Sequence, residues 1–280
     1  MISEPLMVLS NERLAQDLCR MTLEAPQLAA QARPGQFVTV RVSDSYDPLL
    51  RRPLGIHRVL ESGGSVQLLY KVVGRGTELL AALIPGQRLH LLGPLGNGFS
   101  LPVELDSALL VAGGIGVAPL LFLAQRILAR PQPPQVELFF GGRSAQDLAA
   151  LEQFEDLGVK ITLSTDDGSR GQRGLITELL QPRLAGIDPA RAKVFACGPT
   201  PMLKRVAQLT DMAQIACEVS LERQMACGVG SCMGCVTGVH GAPLAREGHA
   251  ECSTAGPAHY ERVCLEGPVF DADKVEWSDG

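Results

Sequence analysis

Residues 107–125 decide the fold of the central part of the chain: Ser107-Ala-Leu-Leu-Val-Ala-Gly-Gly-Ile-Gly-Val-Ala-Pro-Leu-Leu-Phe-Leu-Ala-Gln125. The stretch contains no charge and is near the length of a membrane span. Glycines and Pro119 lie in its middle, however, where a spanning helix would lose backbone hydrogen bonds. We therefore predict a buried strand over 108–111, a tight glycine turn and a buried helix over 119–128.

The pattern continues downstream as strands that alternate with helices. Short apolar runs predict strands over 136–140, 160–163 and 193–196. Helices are predicted over 175–180 and from Pro201 to about Leu209. This alternation is typical of a parallel sheet with helices on its faces, and predicts an α/β domain over 103–215.

Upstream of this domain, the sequence has a β pattern. Residues 36–42 and 65–73 are rich in β-branched and aromatic side chains, and glycine and proline turn signals separate such runs. Several strands at this spacing predict a small closed antiparallel β-barrel over 1–102.

The cysteines define a third domain, predicted over 216–280. Five of the eight lie in the last fifth of the chain, beginning with Cys227-Gly-Val-Gly-Ser-Cys232-Met-Gly-Cys235. With Cys264 as the fourth ligand, this spacing is that of plant-type 2Fe-2S ferredoxins. A structural zinc site is the alternative, and Cys252 is the alternative fourth ligand.

Composition excludes several classes of partner. A formal net charge of −5 argues against binding to nucleic acid, which requires a basic face. The N-terminus lacks the basic flank and apolar stretch of a secretory signal, so we expect a cytoplasmic protein that is not attached to a membrane. Clustered cysteines in a reducing compartment indicate metal binding and not disulfides.

Three further motifs are candidates for cofactor binding. Gly113, Gly114 and Gly116 follow a strand and open a helix, where a dinucleotide pyrophosphate can meet backbone amides. Residues 197–199, Cys-Gly-Pro, lie at another strand end, and 51–56 read Arg-Arg-Pro-Leu-Gly-Ile. Taken singly, each motif also has a purely structural explanation. The glycines can form a turn without a ligand, Cys197 can be a small buried core residue, and the arginines can be solvated surface side chains.

Taken in order, these motifs resemble the ferredoxin–NADP reductase superfamily with an appended 2Fe-2S domain. Within it, they resemble the electron-transfer subunits of class 1B dihydroorotate dehydrogenases. Gly-Arg-Gly-Thr (74–77), Gly-Pro-Leu-Gly-Asn-Gly-Phe (93–99) and Gly-Pro-Val-Phe (267–270) stand in the family order. Two departures are Gly55, where such proteins often have serine, and an apparent insertion at about 240–258.

The resemblance implies an FAD site in the barrel and an NAD site in the α/β domain. The residues implied for FAD are Arg52, Pro53, Leu54, Gly55, Leu69, Tyr70, Lys71, Gly76 and Thr77. Those implied for NAD are Gly113, Gly114, Gly116, Cys197, Gly198 and Pro199. Asp166 and Asp167 predict a preference for NAD over NADP by repelling a 2′-phosphate, whereas Arg143 and Arg170 favour the opposite. No general acid, base or nucleophile is visible, and hydride transfer requires none.

The implied function is electron transfer in pyrimidine biosynthesis. In such enzymes a separate FMN-containing catalytic subunit oxidises dihydroorotate, and electrons pass through the 2Fe-2S cluster and FAD to NAD. The implied assembly is a heterotetramer with two chains of each kind. Alternatives are a subunit of another complex, such as an NAD-dependent ferredoxin oxidoreductase, a hydrogenase or a sulfite reductase, and a redox sensor without turnover.

Overall fold

The computed structural model describes residues 1–60, 64–148, 150–240 and 259–277. The predicted insertion, including Cys252, lies mostly outside these ranges. None of the helices within them is long and apolar enough to cross a bilayer.

The predicted N-terminal barrel is confirmed. Six antiparallel strands close in the order β1-β2-β5-β4-β3-β6. Alternation defines its two faces: Val38 and Val40 are fully buried in the barrel core, and Thr39 between them faces away from that core. The barrel strands are β1 (Ile2–Arg13), β2 (Leu18–Glu24), β3 (Phe37–Arg41), β4 (Arg52–Leu60), β5 (Ser65–Lys71) and β6 (Arg88–Leu95).

The predicted parallel sheet is also confirmed. It has seven strands in the order β10-β9-β8-β7-β11-β12-β15, with every pair parallel except β12–β15. The central strand is buried along its whole length because helices cover both faces of the sheet. The strands are β7 (Ser107–Gly113), β8 (Gln135–Gly142), β9 (Lys160–Thr165), β10 (Gln172–Arg173), β11 (Ala192–Cys197), β12 (Ala216–Ser220) and β15 (Val269–Asp271).

Within the described ranges, two α-helices accompany the barrel and four accompany the sheet. The residues after β7 form the predicted turn, a 3₁₀ segment over Gly114–Val117, which leads directly into the next helix. Pro119 lies in the first turn of that helix, where its missing N–H removes no hydrogen bond. The helices are α1 (Pro26–Gln31), α2 (Arg75–Ala81), α3 (Ala118–Leu128), α4 (Glu152–Asp156), α5 (Ile176–Leu184) and α6 (Thr200–Met212).

The sheet continues past residue 215, where the sequence pattern changes. Strand β12 pairs with β11, and β15 returns from beyond the last cysteine to pair with β12. Between them, β13 (Val236–Val239) and β14 (His259–Arg262) form a separate antiparallel pair. The cysteine-rich segment is therefore anchored to the sheet at both ends.

A buried histidine joins the barrel to the sheet domain. His57 of β4 is fully buried, and burial lowers its pKa, so its imidazole is neutral at physiological pH. Its Nδ1 lies 2.7 Å from the carbonyl oxygen of Ala118, and its Nε2 lies 2.9 Å from the side-chain amide of Gln153. These contacts hold the start of α3 against the barrel, beside the glycine turn.

Candidate cofactor sites and cysteine loop

Two cavities adjoin where the barrel meets the sheet. The barrel cavity, of about 420 Å³, lies against β4 and β5. The sheet cavity, of about 590 Å³, lies at the carboxyl ends of the parallel strands. Both volumes lie in the range of small-molecule and cofactor sites. Lys71, Ile115 and Glu222 line both cavities, so a ligand in one can contact a ligand in the other.

Most residues predicted for FAD line the barrel cavity. They are Arg52, Pro53, Leu54, Gly55, Leu69, Tyr70, Lys71 and Thr77. Gly76 is not in the wall, but a Cβ there would lie 2.2 Å from Nε of Arg52. Gly76 thus leaves room for the Arg52 side chain, whose guanidinium also donates to the carbonyl oxygen of Leu50.

Two of these side chains are already engaged elsewhere. The Tyr70 hydroxyl donates to Oδ1 of Asn11 (2.9 Å) inside the barrel, and burial raises its pKa. Strand alternation turns Leu69 and Lys71 outward and Tyr70 inward. Tyr70 therefore contributes its backbone, and not its side chain, to the wall of the barrel cavity. The Thr77 hydroxyl accepts from the backbone N–H of Val73 (2.8 Å) and closes the first turn of α2.

The sheet cavity contains most of the predicted NAD residues. Gly113, Gly114, Gly198 and Pro199 line it. Cys197 lines the barrel cavity instead, and burial raises the pKa of its thiol. Gly116 lines neither cavity. A Cβ on Gly116 would lie 2.2 Å from the carbonyl oxygen of Cys197, so this glycine permits the close approach of the turn to β11.

The acidic residues after β9 differ in orientation. Asp166 lines the sheet cavity together with Arg143. Asp167 accepts from both the backbone N–H and the hydroxyl of Ser169, and these bonds lower its pKa. Arg170 lies away from this cavity. Of the four residues weighed for nucleotide preference, Asp166 and Arg143 are therefore in place to meet a bound nucleotide.

Sequence reasoning missed several polar residues of the cavity walls, among them Asp147, Ser164 and Glu222. Asp147 follows β8 and accepts from Nζ of Lys71 (2.6 Å); although burial opposes ionisation, this bond lowers the pKa of the carboxyl. Ser164 is 1% exposed, and its hydroxyl has no hydrogen-bond partner within the described residues. Glu222 lies where the cavities meet, and burial raises its pKa. Glu222 ends the run Glu218-Val-Ser-Leu-Glu222, which leads into the cysteines; no local signal marks the other two.

The cysteine loop, residues 227–235, and Cys264 place the four predicted ligands in two pairs. Cys232 is among the groups that lower the pKa of Cys227, and the N–H of Cys264 donates to Sγ of Cys235 (3.4 Å). Within the described ranges, no three His, Cys, Asp or Glu side chains are grouped as the ligands of one metal ion would be. The pairing fits a two-iron cluster in which each iron takes two thiolates.

Backbone amides of the loop point at these sulfurs. The N–H of Gly230 donates to Sγ of Cys264 (3.1 Å), and that of Ser231 to Sγ of Cys227 (3.3 Å). Hydrogen bonds from backbone amides, of which that from Val229 has the largest effect, lower the pKa of the Cys227 thiol to about 6. Burial and the neighbouring Cys235 raise the pKa of the Cys264 thiol to about 12. Arg262 fastens the loop by donating to the carbonyl oxygen of Gly230.

Two family profiles match parts of this chain. A profile described as oxidoreductase NAD-binding domain matches residues 110–208. A profile for the iron-sulfur cluster binding domain of dihydroorotate dehydrogenase B matches residues 222–276. The first profile covers most of the strands and turns that line the sheet cavity, and the second covers the cysteine loop.

Among solved structures, one described as the NADH-dependent reduced ferredoxin-NADP oxidoreductase is similar over 97% of this chain and 90% of that one, with a TM-score of 0.79 and 26% identity. A ferredoxin NADP+ reductase from Neisseria gonorrhoeae matches 78% of this chain and 99% of its own, with a TM-score of 0.63. At 18% identity the second likeness shows the fold alone.

Curated relatives match almost from end to end. A protein of Desulforamulus reducens is 38% identical over 270 residues, which are 96% of this chain and 97% of the relative. One of Geobacillus kaustophilus is 38% identical over 278 residues, 98% of this chain and 99% of the relative. Both are named dihydroorotate dehydrogenase B (NAD(+)), electron transfer subunit. These matches confirm an oxidoreductase component and support the predicted FAD, NAD and iron-sulfur cofactors. The chain belongs to the family of dihydroorotate dehydrogenase B (NAD(+)) electron transfer subunits.

Proposed function

We propose that this chain carries electrons from a separate FMN-containing catalytic subunit, which oxidises dihydroorotate, to NAD in cytoplasmic pyrimidine biosynthesis. One observation carries the proposal. The two cavities adjoin at Lys71, Ile115 and Glu222, while the cysteine loop packs on the outer face of the same barrel. There, a Cβ on Gly228 would lie 2.8 Å from Cγ2 of Thr39, and Thr39 pairs with Pro53 of the barrel cavity.

FAD would occupy the barrel cavity. Arg52 would bind its pyrophosphate, because a guanidinium forms charge-assisted bonds to phosphate oxygens. The backbone at Gly76 and Thr77, in the first turn of α2, lies beside it. Gly55 places no side chain between the strand and Pro119, its nearest neighbour at 3.9 Å, so a bound flavin would meet backbone at this position.

NAD would occupy the sheet cavity. Its pyrophosphate would lie over the turn Gly113–Gly114, with Gly198 and Pro199 on the other side. The unpaired hydroxyl of Ser164 is a ready hydrogen-bond partner for the nucleotide. The nicotinamide end would point to Ile115 and Glu222, where the cavities meet, and Cys197 lines the flavin side of this meeting point.

Cys227, Cys232, Cys235 and Cys264 would hold a 2Fe-2S cluster. When bound, the three groups divide the chemistry: a cluster exchanges single electrons, a flavin one or two, and a nicotinamide a hydride. The chain's own residues position these groups, keep water from the barrel cavity and donate amide hydrogen bonds to sulfur.

The proposed assembly is a heterotetramer of two catalytic and two electron-transfer chains, with the predicted cluster domain, residues 216–280, against the catalytic subunit. Cys232 is exposed, whereas Cys235 and Cys264 are buried. One side of the loop is therefore open to a partner, while the other faces the barrel and sheet.

The test is reconstitution. The purified chain alone should oxidise NADH with an artificial dye and leave dihydroorotate unchanged. Mixed with a class 1B catalytic subunit, it should support NAD-dependent orotate formation, and size-exclusion chromatography with light scattering should give a two-plus-two mass. Orotate formation by the single chain would refute its role as an accessory subunit. Absence of dye reduction would favour a redox sensor.

A second candidate is a subunit of a ferredoxin-linked complex, which the 26%-identical structural relative favours. The same reconstitution separates the two functions. Electron transfer from NADH to ferredoxin, with no orotate formed beside the catalytic subunit, would select this alternative.

A further inference from the structure

The outer face of the barrel beside the cysteine loop is mostly apolar. Phe37 of β3, with Leu92 and Leu95 of β6, packs in the same hydrophobic cluster as Cys235 and Cys264. Thr39 interrupts this face. It is the next outward residue after Phe37 on β3, and it pairs with Leu92 across the sheet.

Thr39 is pressed against the cysteine loop. It is 2% exposed, and its neighbours Val38 and Val40 point into the barrel core, so its own side chain points out. A Cβ on Gly228 would lie 2.8 Å from Cγ2 of Thr39. Gly228 has a φ of +69° and directly follows Cys227, so the Thr39 side chain lies beneath the predicted cluster ligand.

The hydroxyl of Thr39 has no hydrogen-bond partner in the described part of the chain. A buried polar group without a partner destabilises the folded state. Valine has the same shape and would suit the apolar neighbours without this cost. A threonine here is therefore best explained by an acceptor that the protein atoms do not supply.

We propose that the Thr39 hydroxyl donates a hydrogen bond to a sulfur of the iron-sulfur cluster. The inference rests on the proposed function, in which the four cysteines hold that cluster. Reduction adds negative charge to the cluster sulfurs, so a donor at this point stabilises the reduced form and raises the reduction potential. Thr39 is thus a positioning and tuning residue on the barrel, in the same strand as Phe37, which lines the barrel cavity.

The test compares Thr39→Val with Thr39→Ser in the full chain. Valine keeps the shape and removes the hydroxyl; serine keeps the hydroxyl and removes the methyl group. The midpoint potential is measured by a redox titration followed by electron paramagnetic resonance, with iron and acid-labile sulfide per chain and thermal stability as controls. Because the resonance signal comes from intact clusters, the potential remains measurable in a partly loaded sample.

We expect Thr39→Val to lower the equilibrium constant for one-electron reduction about two- to tenfold, which is the range for one hydrogen bond. Thr39→Ser should stay within about twofold of the wild type. An intact cluster with an unchanged potential in Thr39→Val would overturn this inference alone, whatever the stability of the variant. A wild-type chain that takes up no iron and sulfide would overturn the proposed function, and this inference with it.

Discussion

The cysteine loop and the cofactor junction, formed by the two adjoining cavities, are both rich in glycine but are built differently. At the junction, packing of the chain against itself sets the shape: Gly116 lies against the backbone of Cys197, and Lys71 is paired with Asp147. In the loop, backbone amides donate to the sulfurs of Cys227 and Cys264, two of the four predicted cluster ligands. The junction is preformed, whereas the loop is completed by what it binds.

The largest expected effect is loss of the cluster from the cysteine loop, while the cofactor junction stays intact. Replacing Cys227, Cys232, Cys235 or Cys264 by serine should remove most iron and acid-labile sulfide, because each thiolate is one of four ligands. NADH oxidation with a dye should remain. Metal and sulfide analysis of each variant measures the effect, with Cys252→Ser as the control that keeps its cluster.

Two results would change this assignment. An intact cluster in Cys264→Ser would move the fourth ligand to Cys252. Zinc without acid-labile sulfide in the wild type would replace the cluster by a structural metal site.

The next largest effect is a loss of stability from a substitution at the cofactor junction, while the cysteine loop is left unchanged. Gly116→Ala places a Cβ 2.2 Å from a backbone oxygen that cannot move freely, and should destabilise the chain by about 3 kcal/mol. Gly114→Ala is the matched control. No atom lies within 4 Å of its Cβ position, and its φ of +53° should cost only about 1–2 kcal/mol. Urea unfolding of both variants measures the difference, and equal losses would show that the turn is not held by packing.

A smaller effect tests the preformed barrel cavity. Arg52→Ala should weaken FAD binding by about 1.5–3 kcal/mol, since it removes a charge-assisted contact to phosphate. Titration of the FAD-free protein with FAD, followed by flavin fluorescence, measures the change. Release of FMN instead of FAD from the wild-type protein would contradict the prediction of a pyrophosphate contact.

The smallest expected effect sharpens the description of the sheet cavity. The wild-type chain should prefer NADH to NADPH, and Asp166→Asn should reduce the ratio of their kcat/KM values on the order of tenfold, by removing one charge near a 2′-phosphate. Asp167→Asn is the matched control, because Asp167 is turned to Ser169. Equal kcat/KM for the two nucleotides in the wild type would contradict this prediction.

Features set by neighbours along the chain could be predicted from the sequence. The spacing of Cys227, Cys232 and Cys235 brings three thiols onto one short loop, and the glycine turn after β7 must lie at a strand end. Strand periodicity and the change from β runs to alternating strands and helices identified the barrel and the parallel sheet, because each depends on local backbone geometry.

The tertiary structure alone decided which groups meet across the chain. It turned Tyr70 to Asn11, paired Lys71 with Asp147, returned β15 to the sheet after the last cysteine, and laid Gly228 on Thr39. The three residue pairs among these are 59, 76 and 189 residues apart in the sequence. Their contacts depend on how complete elements pack, and a local pattern carries no information about that packing.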